Sequence, residues 1–232
     1  MPTRPPCALA AAIASAAPAP EVAGSAVLLK PPMRDEDQAW RQLAALWKFD
    51  PADGSPCASA TSASASPPQV QCFKGVGSLE LLRQIGRPGI LTLRDDRGQP
   101  SYALLMGLSS LGVRLRLDGG VTQTIPPAVL AERWRGEFSM FWRAPEGYRG
   151  ALSQGQSGPA VEALARQLAR VRGEPVPARA SEFGPGLKAK VVAFQVGQGL
   201  QPDGVAGPTT FMQLNRALGV DEPRLPADAA AG

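Results

Sequence analysis

The sequence predicts an α+β chain in which a small antiparallel-sheet domain is followed by an all-α domain of three helices. In the C-terminal part a Gly-Pro pair occurs three times, each time ahead of apolar residues spaced three or four apart. In the middle, short apolar and β-branched runs alternate with glycine-rich turns between residues 89 and 125, as is typical of antiparallel strands. At 232 residues the chain has room for two domains of ordinary size.

Each Gly-Pro pair predicts a helix start, because proline in the first turn lacks only an N–H that would have no intrahelical partner. Between the second and third predicted helices, residues 198–210 are too rich in glycine for a helix and too regular for disorder, so we expect a structured loop. The pairs are Gly158-Pro159, Gly184-Pro185 and Gly207-Pro208, and their apolar stripes contain Val161, Leu164, Leu168 and Val171, then Leu187, Val191 and Phe194, then Phe211, Leu214 and Leu218.

The middle region is expected to begin with a helix from Asp37, capped by Asp35 or Asp37. A loop containing Cys57 and Cys72 follows, and then a short helix between the cap Ser78 and the stop at Gly86. The remaining predicted elements are strands over 89–93, 102–106, 113–117 and 121–125, a helix from Pro126-Pro127 to about Trp134, and a last strand over 137–142.

These patterns predict the domain organisation. Residues 35–145 form the α+β domain, residues 146–220 form the helical domain, and residues 221–232 are a disordered tail. Residues 1–34 begin with an Ala-, Pro- and Ser-rich stretch that fits either a secretory signal peptide or an Ala/Pro linker. Its apolar run is too short to span a bilayer, so no transmembrane helix is expected.

The predicted loop carries the motifs of a known family. Phe194-Gln195, Gly199-Leu200, Asp203-Gly204-Val205 and Gly207-Pro208-Thr209-Thr210 resemble the FQ…GL…DG…GP-T signature of the type 1 peptidoglycan-binding domain. Upstream, residues 154–161 are similar to that family's opening G-x-x-G-x-x-V, and Phe183-Gly184-Pro185 to its middle F-G-P.

The resemblance implies peptidoglycan as the partner, with Gln195, Asp203, Thr209, Thr210 and Asn215 as candidate contacts. Structural roles remain open for them. Asp203 begins an ordinary Asp-Gly turn, Thr209 and Thr210 fit the first turn of a helix, and Gln195 can hydrogen-bond the loop that packs on it.

A second resemblance is carried by Leu46-Trp47, Cys57 and Cys72, and residues 87–91, 102–105, 134–138 and 141–142. These segments resemble the periplasmic half of the ExeA/GspA proteins of type II secretion, where a peptidoglycan-binding domain follows in the same order. That half is similar in turn to papain-like bacteriocin-processing cysteine peptidases. Ser101 occupies the position of their catalytic histidine, and Asp118, a match for their orienting Asp, has no imidazole to orient.

The resemblance implies a periplasmic location. In an exported chain Cys57 and Cys72 are expected to form a disulfide, whereas in a cytosolic chain they would be two thiols. A bridge across a loop of about fifteen residues contributes on the order of 3 kcal/mol in the chain-entropy model. Its reduction is expected to affect the middle domain alone, as one of two thermal transitions.

Composition limits the chemistry. The chain has no histidine, which removes the commonest general base, the Ser-His and Cys-His pairs, and zinc sites that need imidazole. We therefore expect no catalytic residue, cofactor or metal. The net charge of +4 comes from scattered arginines, which favours an anionic partner such as peptidoglycan over nucleic acid; a solvated basic surface is the alternative. The ExeA/GspA family usually also carries an N-terminal ATPase, but this sequence has no Walker-type Gly-Lys-Ser/Thr loop, so we expect no ATP-driven role.

The leading hypothesis is a non-catalytic peptidoglycan-binding envelope protein, not an enzyme, that assists type II secretion through placement or assembly of the secretin. The alternative is a wall hydrolase or peptidase targeted by its binding module, and a third possibility is a scaffold that has lost sugar binding. The residues Trp40, Trp47, Trp134 and Trp142 suit a hydrophobic core better than sugar-stacking platforms, because they lie within apolar patterns.

Overall fold

The structure is a computed structural model that describes residues 31–48, 70–177 and 182–226. Its helices are α1 (Glu36–Leu46), α2 (Leu79–Ile85), α3 (Pro127–Arg133), α4 (Pro159–Arg172), α5 (Pro185–Gly197) and α6 (Pro208–Ala217). Its strands are β1 (Val70–Val76), β2 (Gly89–Arg94), β3 (Pro100–Ser109), β4 (Gly112–Arg116), β5 (Thr122–Ile125) and β6 (Trp134–Arg143). The α+β class is confirmed, and all three Gly-Pro helix starts lie where they were predicted.

The strands form one six-stranded sheet in the order β1-β6-β2-β3-β4-β5, with every neighbouring pair antiparallel. Strand β1 was expected to be a loop, and this expectation is wrong. Its sequence has little apolar alternation, but it pairs with β6 from Val70↔Arg143 to Val76↔Glu137. The strand is therefore specified by its long-range partner rather than by its own propensity.

Helix α1 covers one face of the sheet. Asp35 is its cap, since the Asp35 side chain accepts a hydrogen bond from the N–H of Asp37 at 3.0 Å. On this face Trp40 packs against Phe141 of β6, with 4.7 Å between ring centroids. All four tryptophans are buried, as expected for core residues.

The opposite face of the sheet packs against α3 and α6, and α6 in turn packs against α2 and α4. Neighbouring residues on a strand point to opposite faces, so Trp142 faces away from α1 while Phe141 faces toward it. Trp142 and Phe211 of α6 are stacked with centroids 6.2 Å apart, and Tyr148 contacts both rings edge-on. One continuous hydrophobic core therefore joins the sheet to the helical region.

The segment after α6 corrects the predicted tail. Residues 221–226 are described and packed: Glu222 is only 6% exposed, and the Leu225 N–H donates to the Gly86 carbonyl at 2.9 Å. The Glu222 carboxylate is held by a buried cationic partner, Arg87, which lies far away in the chain. Residues 227–232 lie outside the described part.

The end of the predicted leader, residues 31–34, is also corrected, because Met33 is fully buried and exchanges two backbone hydrogen bonds of 2.8 Å with Tyr102. Residues 1–30 and Cys57 lie outside the described residues. Cys72 lies in β1 in a disulfide-bonded state, and its pairing with Cys57 stays a prediction. In the described part of the chain, every helix is too short or too polar to cross a membrane.

Candidate functional site

The loop between α5 and α6 forms one side of an open cavity of about 410 Å³, here called the loop groove. Four of the five candidate contacts, Gln195, Asp203, Thr209 and Thr210, line it together. The other lining residues are Leu81, Ala151, Gly199, Leu200, Gln201, Val205 and Gly207.

Gln195 is 2% exposed and holds the loop in place. Its Nε2 lies 2.9 Å from Asp203 Oδ1, 3.0 Å from the Val205 carbonyl and 3.3 Å from Thr210 Oγ1. Its Oε1 accepts the N–H of Gly204 at 2.9 Å. Both the nitrogen and the oxygen of the Gln195 amide are thus hydrogen-bonded within the protein, which agrees with a structural role for this residue.

Asp203 opens a turn that demands glycine at the next position. Its Oδ1 accepts the Val205 N–H at 2.8 Å as well as the Gln195 amide, while the side chain is exposed at the rim of the groove. Gly204 has φ 72°, and an added Cβ there would lie 2.9 Å from Lys188 Cγ. The Asp203-Gly204 pair therefore shapes the loop and presents a carboxylate at its surface.

The two threonines of α6 differ in role. Thr210 is buried, and its hydroxyl lies 3.5 Å from the Val205 carbonyl and within reach of Gln195. Thr209 is half-buried in the first turn of α6 and faces the groove. Of the two hydroxyls, Thr209 is the one placed to meet a ligand.

Asn215 is not part of the groove. It is 3% exposed, and its Nδ2 donates to the Arg143 carbonyl at 2.9 Å and to Glu222 Oε1 at 3.2 Å. Asn215 therefore connects α6 to β6 and to the segment after α6. The sequence motif located it correctly within a helix but could not show which face of the helix it occupies.

Sequence reasoning missed Leu81, which brings α2 of the sheet region into the wall of the groove. Gly199 of the loop also abuts α2: a Cβ at Gly199 would lie 3.2 Å from Gln84 Nε2. Nothing local in the sequence links residues so far apart in the chain. The groove is consequently a composite of both regions.

A buried ion pair fixes α6 to the sheet region. Arg87 is fully buried, pairs with Glu222, and donates from Nη2 to the Met212 carbonyl at 3.0 Å. Burial lowers the pKa of Arg87 from its ordinary value, against the opposing effect of Glu222. The N–H of Arg143 adds a 2.9 Å bond to Glu222 Oε1. Helix α6, which contributes Thr209 and Thr210 to the groove, is therefore held firmly against the sheet region.

The sheet region has its own open cavity, of about 470 Å³, lined in part by Glu36, Lys74, Arg94, Tyr102 and Glu137. Its charges are paired: Lys74 bonds Glu36, and Arg94 binds Glu137 through two contacts of 2.7 and 2.9 Å. Hydrogen bonding to Arg94 lowers the pKa of Glu137. A carboxyl in this state is a poor proton donor near neutral pH.

The two positions derived from the peptidase resemblance have ordinary hydrogen bonds. Ser101 Oγ lies 3.5 Å from the Leu93 carbonyl, across the β2–β3 ladder. Asp118 Oδ1 accepts a 2.9 Å bond from Gln38 Nε2 of α1. The papain-like relationship of this region stays a prediction.

The sequence of this chain is similar to those of several known proteins. Residues 157–214 match the family described as “Putative peptidoglycan binding domain”. The chain is 29% identical to general secretion pathway protein A of Aeromonas hydrophila over 191 residues, which are 82% of this chain and 34% of that protein. It is 43% identical to the zinc D-Ala-D-Ala carboxypeptidase of Streptomyces albus G over 68 residues, which are 29% of this chain and 27% of that enzyme.

A crystal structure of a periplasmic domain of the EpsAB fusion protein, from the type II secretion system of Vibrio vulnificus, is also similar. The TM-score is 0.50 and the identity 28%, covering 85% of this chain and 91% of that one. The present chain spans only about a third, 34%, of the length of the Aeromonas relative. These comparisons confirm the resemblance predicted from the sequence: residues 157–214 form a domain of the peptidoglycan-binding family, and the chain is related to the ExeA/GspA proteins of type II secretion.

Proposed function

We propose that this chain is a non-catalytic peptidoglycan-binding protein of the bacterial periplasm that assists type II secretion by helping to place or assemble the secretin. Residues 146–226 hold the wall, and residues 35–145 form the platform on which this part is fixed. The periplasmic location and the secretion context are supported by the EpsAB periplasmic domain and the Aeromonas relative.

The observation that carries the proposal is the loop groove. Its volume of about 410 Å³ lies in the range of small-ligand sites. The hydroxyl of Thr209 and the carboxylate of Asp203 provide polar contacts, while Leu81 and Leu200 provide apolar walls. A site of this composition suits a wall fragment that combines N-acetyl sugars with a short peptide.

We assign different roles to the candidate residues. Asp203 and Thr209 contact the wall directly, because both face the groove with polar groups. Gln195 and Thr210 position the loop through their buried hydrogen bonds. This division agrees with their burial, since a fully engaged buried amide has little left to offer a ligand.

A sacculus pull-down tests the proposal. The full chain should sediment with purified, protein-free peptidoglycan sacculi, and Thr209→Ala should reduce the bound fraction several-fold. Thr124→Ala is the matched control, since Thr124 is exposed on the edge strand β5, outside the groove. Absence of the wild-type chain from the pellet would remove the main claim. Equal binding of the two variants would place the wall site elsewhere.

The alternative of a wall hydrolase or peptidase has less support. The carboxylates that line the cavity of the sheet region, Glu36 and Glu137, are each bound to a cation. Glycoside hydrolysis needs one carboxyl held protonated opposite a second one. Incubation of sacculi with the purified chain should leave their turbidity unchanged; clearing that is abolished by Glu137→Gln would establish the enzyme instead.

A further inference from the structure

A third cavity lies where α2, α6 and the segment after α6 meet, and it shares no lining residue with the loop groove. Its volume is about 420 Å³, and we call it the arginine pocket. It is lined by Arg83, Gly86, Leu108, Arg216, Arg224, Leu225 and Pro226.

Among the described residues, positive charge exceeds negative charge around this pocket. Three guanidinium groups line it. The pKa of the buried Arg87 is lowered first by burial and then by the charges of the nearby Arg224 and Arg216. Glu222 is shared between Arg87 and Arg224, at 3.5 Å from Arg224 Nη2. Glu80 lies 3.7 Å from Arg83 Nε but is exposed. Burial, followed by the charge of Arg216, also lowers the pKa of Arg224.

Arg224, which lines the pocket, and the nearby buried Arg87 carry hydrogen-bond donors without an acceptor. Nη1 of Arg224 is buried and has no hydrogen-bond partner within the described part of the chain; Nε and Nη1 of Arg87 are in the same condition. A buried donor of this kind costs free energy unless a ligand or water satisfies it. The pocket thus offers both a charge excess and a donor that lacks an acceptor.

Hydrogen bonds fix Arg216, and the backbone next to Arg224, before any ligand arrives. Arg216 Nη1 donates to the Gln84 carbonyl at the end of α2, and the Leu225 N–H bonds the Gly86 carbonyl at 2.9 Å. Gly86, with φ 65°, leaves room for this contact, because an added Cβ would lie 3.1 Å from Arg216 Nη1. Leu108 and Leu225 supply an apolar wall beside the charges.

We propose that the arginine pocket binds a small oxyanion, the carboxylate or phosphate group of a ligand, between Arg83, Arg216 and Arg224. Planar guanidinium forks recognise both groups through paired, charge-assisted hydrogen bonds. The anion accepts from Nη1 of Arg224 and offsets the local charge excess. This site is separate from wall binding in the loop groove and stands without it.

Calorimetric titration of the full chain tests the site at constant ionic strength, with inorganic phosphate in one arm and N-acetyl-D-alanine in the other. Saturable binding is expected in at least one arm, which identifies the anion class. Arg224→Gln should weaken it about tenfold or more, the loss expected for a charged hydrogen bond. Arg170→Gln, an exposed arginine of α4 outside the pocket, should bind like the wild type.

Two further variants keep the result interpretable. Arg83→Gln changes a more exposed pocket arginine, so it should fold even if Arg224→Gln does not, and it should also weaken binding. Asp228→Asn tests whether the Asp228 carboxylate competes with the added anion, since Asp228 follows the pocket residue Pro226 closely in the sequence. Unchanged or tighter binding of the anion supports the site, and loss of binding contradicts it. No saturable binding in either arm, or equal affinity of wild type, Arg83→Gln and Arg224→Gln, would overturn the proposal.

Discussion

Gln195 shows how one side chain can define a binding loop without offering its own groups to the ligand. Its amide takes part in four hydrogen bonds, to Asp203, Gly204, Val205 and Thr210. These bonds connect the start of the loop to its end and to the first turn of α6. The Phe-Gln motif therefore belongs to the construction of the groove.

Gln195→Ala is expected to lower the free energy of unfolding by about 2–3 kcal/mol, because the Gly204 N–H and the Val205 carbonyl lose a buried partner. Urea unfolding followed by circular dichroism measures the change. Gln201→Ala is the matched control, since Gln201 is an exposed residue of the same loop, and its effect should stay within about 0.5 kcal/mol. Equal stability of the two variants would contradict the role assigned to Gln195.

The side chain of Tyr148 leads to a prediction about how the free energy of unfolding depends on pH. It is 6% exposed between Trp142 and Phe211, and burial raises its pKa to about 12. The folded state therefore keeps its phenolic proton where the unfolded state, with a pKa near 10, has lost it. The contribution is fully present below about pH 10 and is lost as pH rises toward 12.

Between pH 9.5 and 11.5 the unfolding free energy of the wild type should fall more steeply than that of Tyr148→Phe. The difference should reach roughly 1.5–2 kcal/mol at pH 11.5. Comparison of the two proteins removes the contribution of lysines and other groups that titrate in the same range. Parallel pH profiles would show that Tyr148 ionises without penalty in the folded protein.

Among the elements, the segment after α6 has the largest effect on how the helical region is held. Glu222 reaches back to Arg87, to the Arg143 N–H and to Asn215. A carboxylate buried among these donors cannot be removed without leaving Arg87 uncompensated. The segment thus acts as a clasp between α6 and β6.

Glu222→Gln should destabilise the protein by about 3–5 kcal/mol, the usual effect of removing one partner from a buried ion pair. Asp221→Asn is the matched control: Asp221 contributes its backbone carbonyl to Arg143, and its side chain is exposed. Thermal unfolding of both variants measures the difference. If both lose the same stability, the effect comes from general charge and not from the buried pair.

At the scale of the whole molecule, the sheet region and the helical region share one hydrophobic core. Trp142 and Phe211, from the two regions, are in contact within it, and the Arg87–Glu222 pair lies at the same interface. The sequence led us to expect two thermal transitions. The shared core favours a single cooperative transition, because neither region can lose its packing without exposing the other.

Reduction, or Cys72→Ser, should therefore lower the stability of the whole described fold by about 2–4 kcal/mol, if Cys72 is bridged to Cys57 as predicted. Differential scanning calorimetry should show one peak that moves as a unit. Cys7→Ser is the matched control and should not move it. Two peaks, of which one is insensitive to reduction, would restore independent domains, and free thiols at Cys57 and Cys72 in protein from its native compartment would contradict the bridge.

The sequence by itself determined the helix starts at Pro159, Pro185 and Pro208, the caps at Ser78 and Gly86, and the Asp203-Gly204 turn. All of these depend on local backbone chemistry, which a short stretch of residues fully specifies. Motif order likewise determined the family resemblance. Four of the five candidate contacts line one groove, and their contact with peptidoglycan stays a prediction.

Only the tertiary structure decided the rest. Strand β1, the wall residue Leu81, the interface position of Asn215 and the clasp at Glu222 each depend on a partner far away in the chain. The physical reason is that pairing, burial and ion-pair compensation are properties of two surfaces brought together. The sequence of either surface, taken alone, does not specify these contacts.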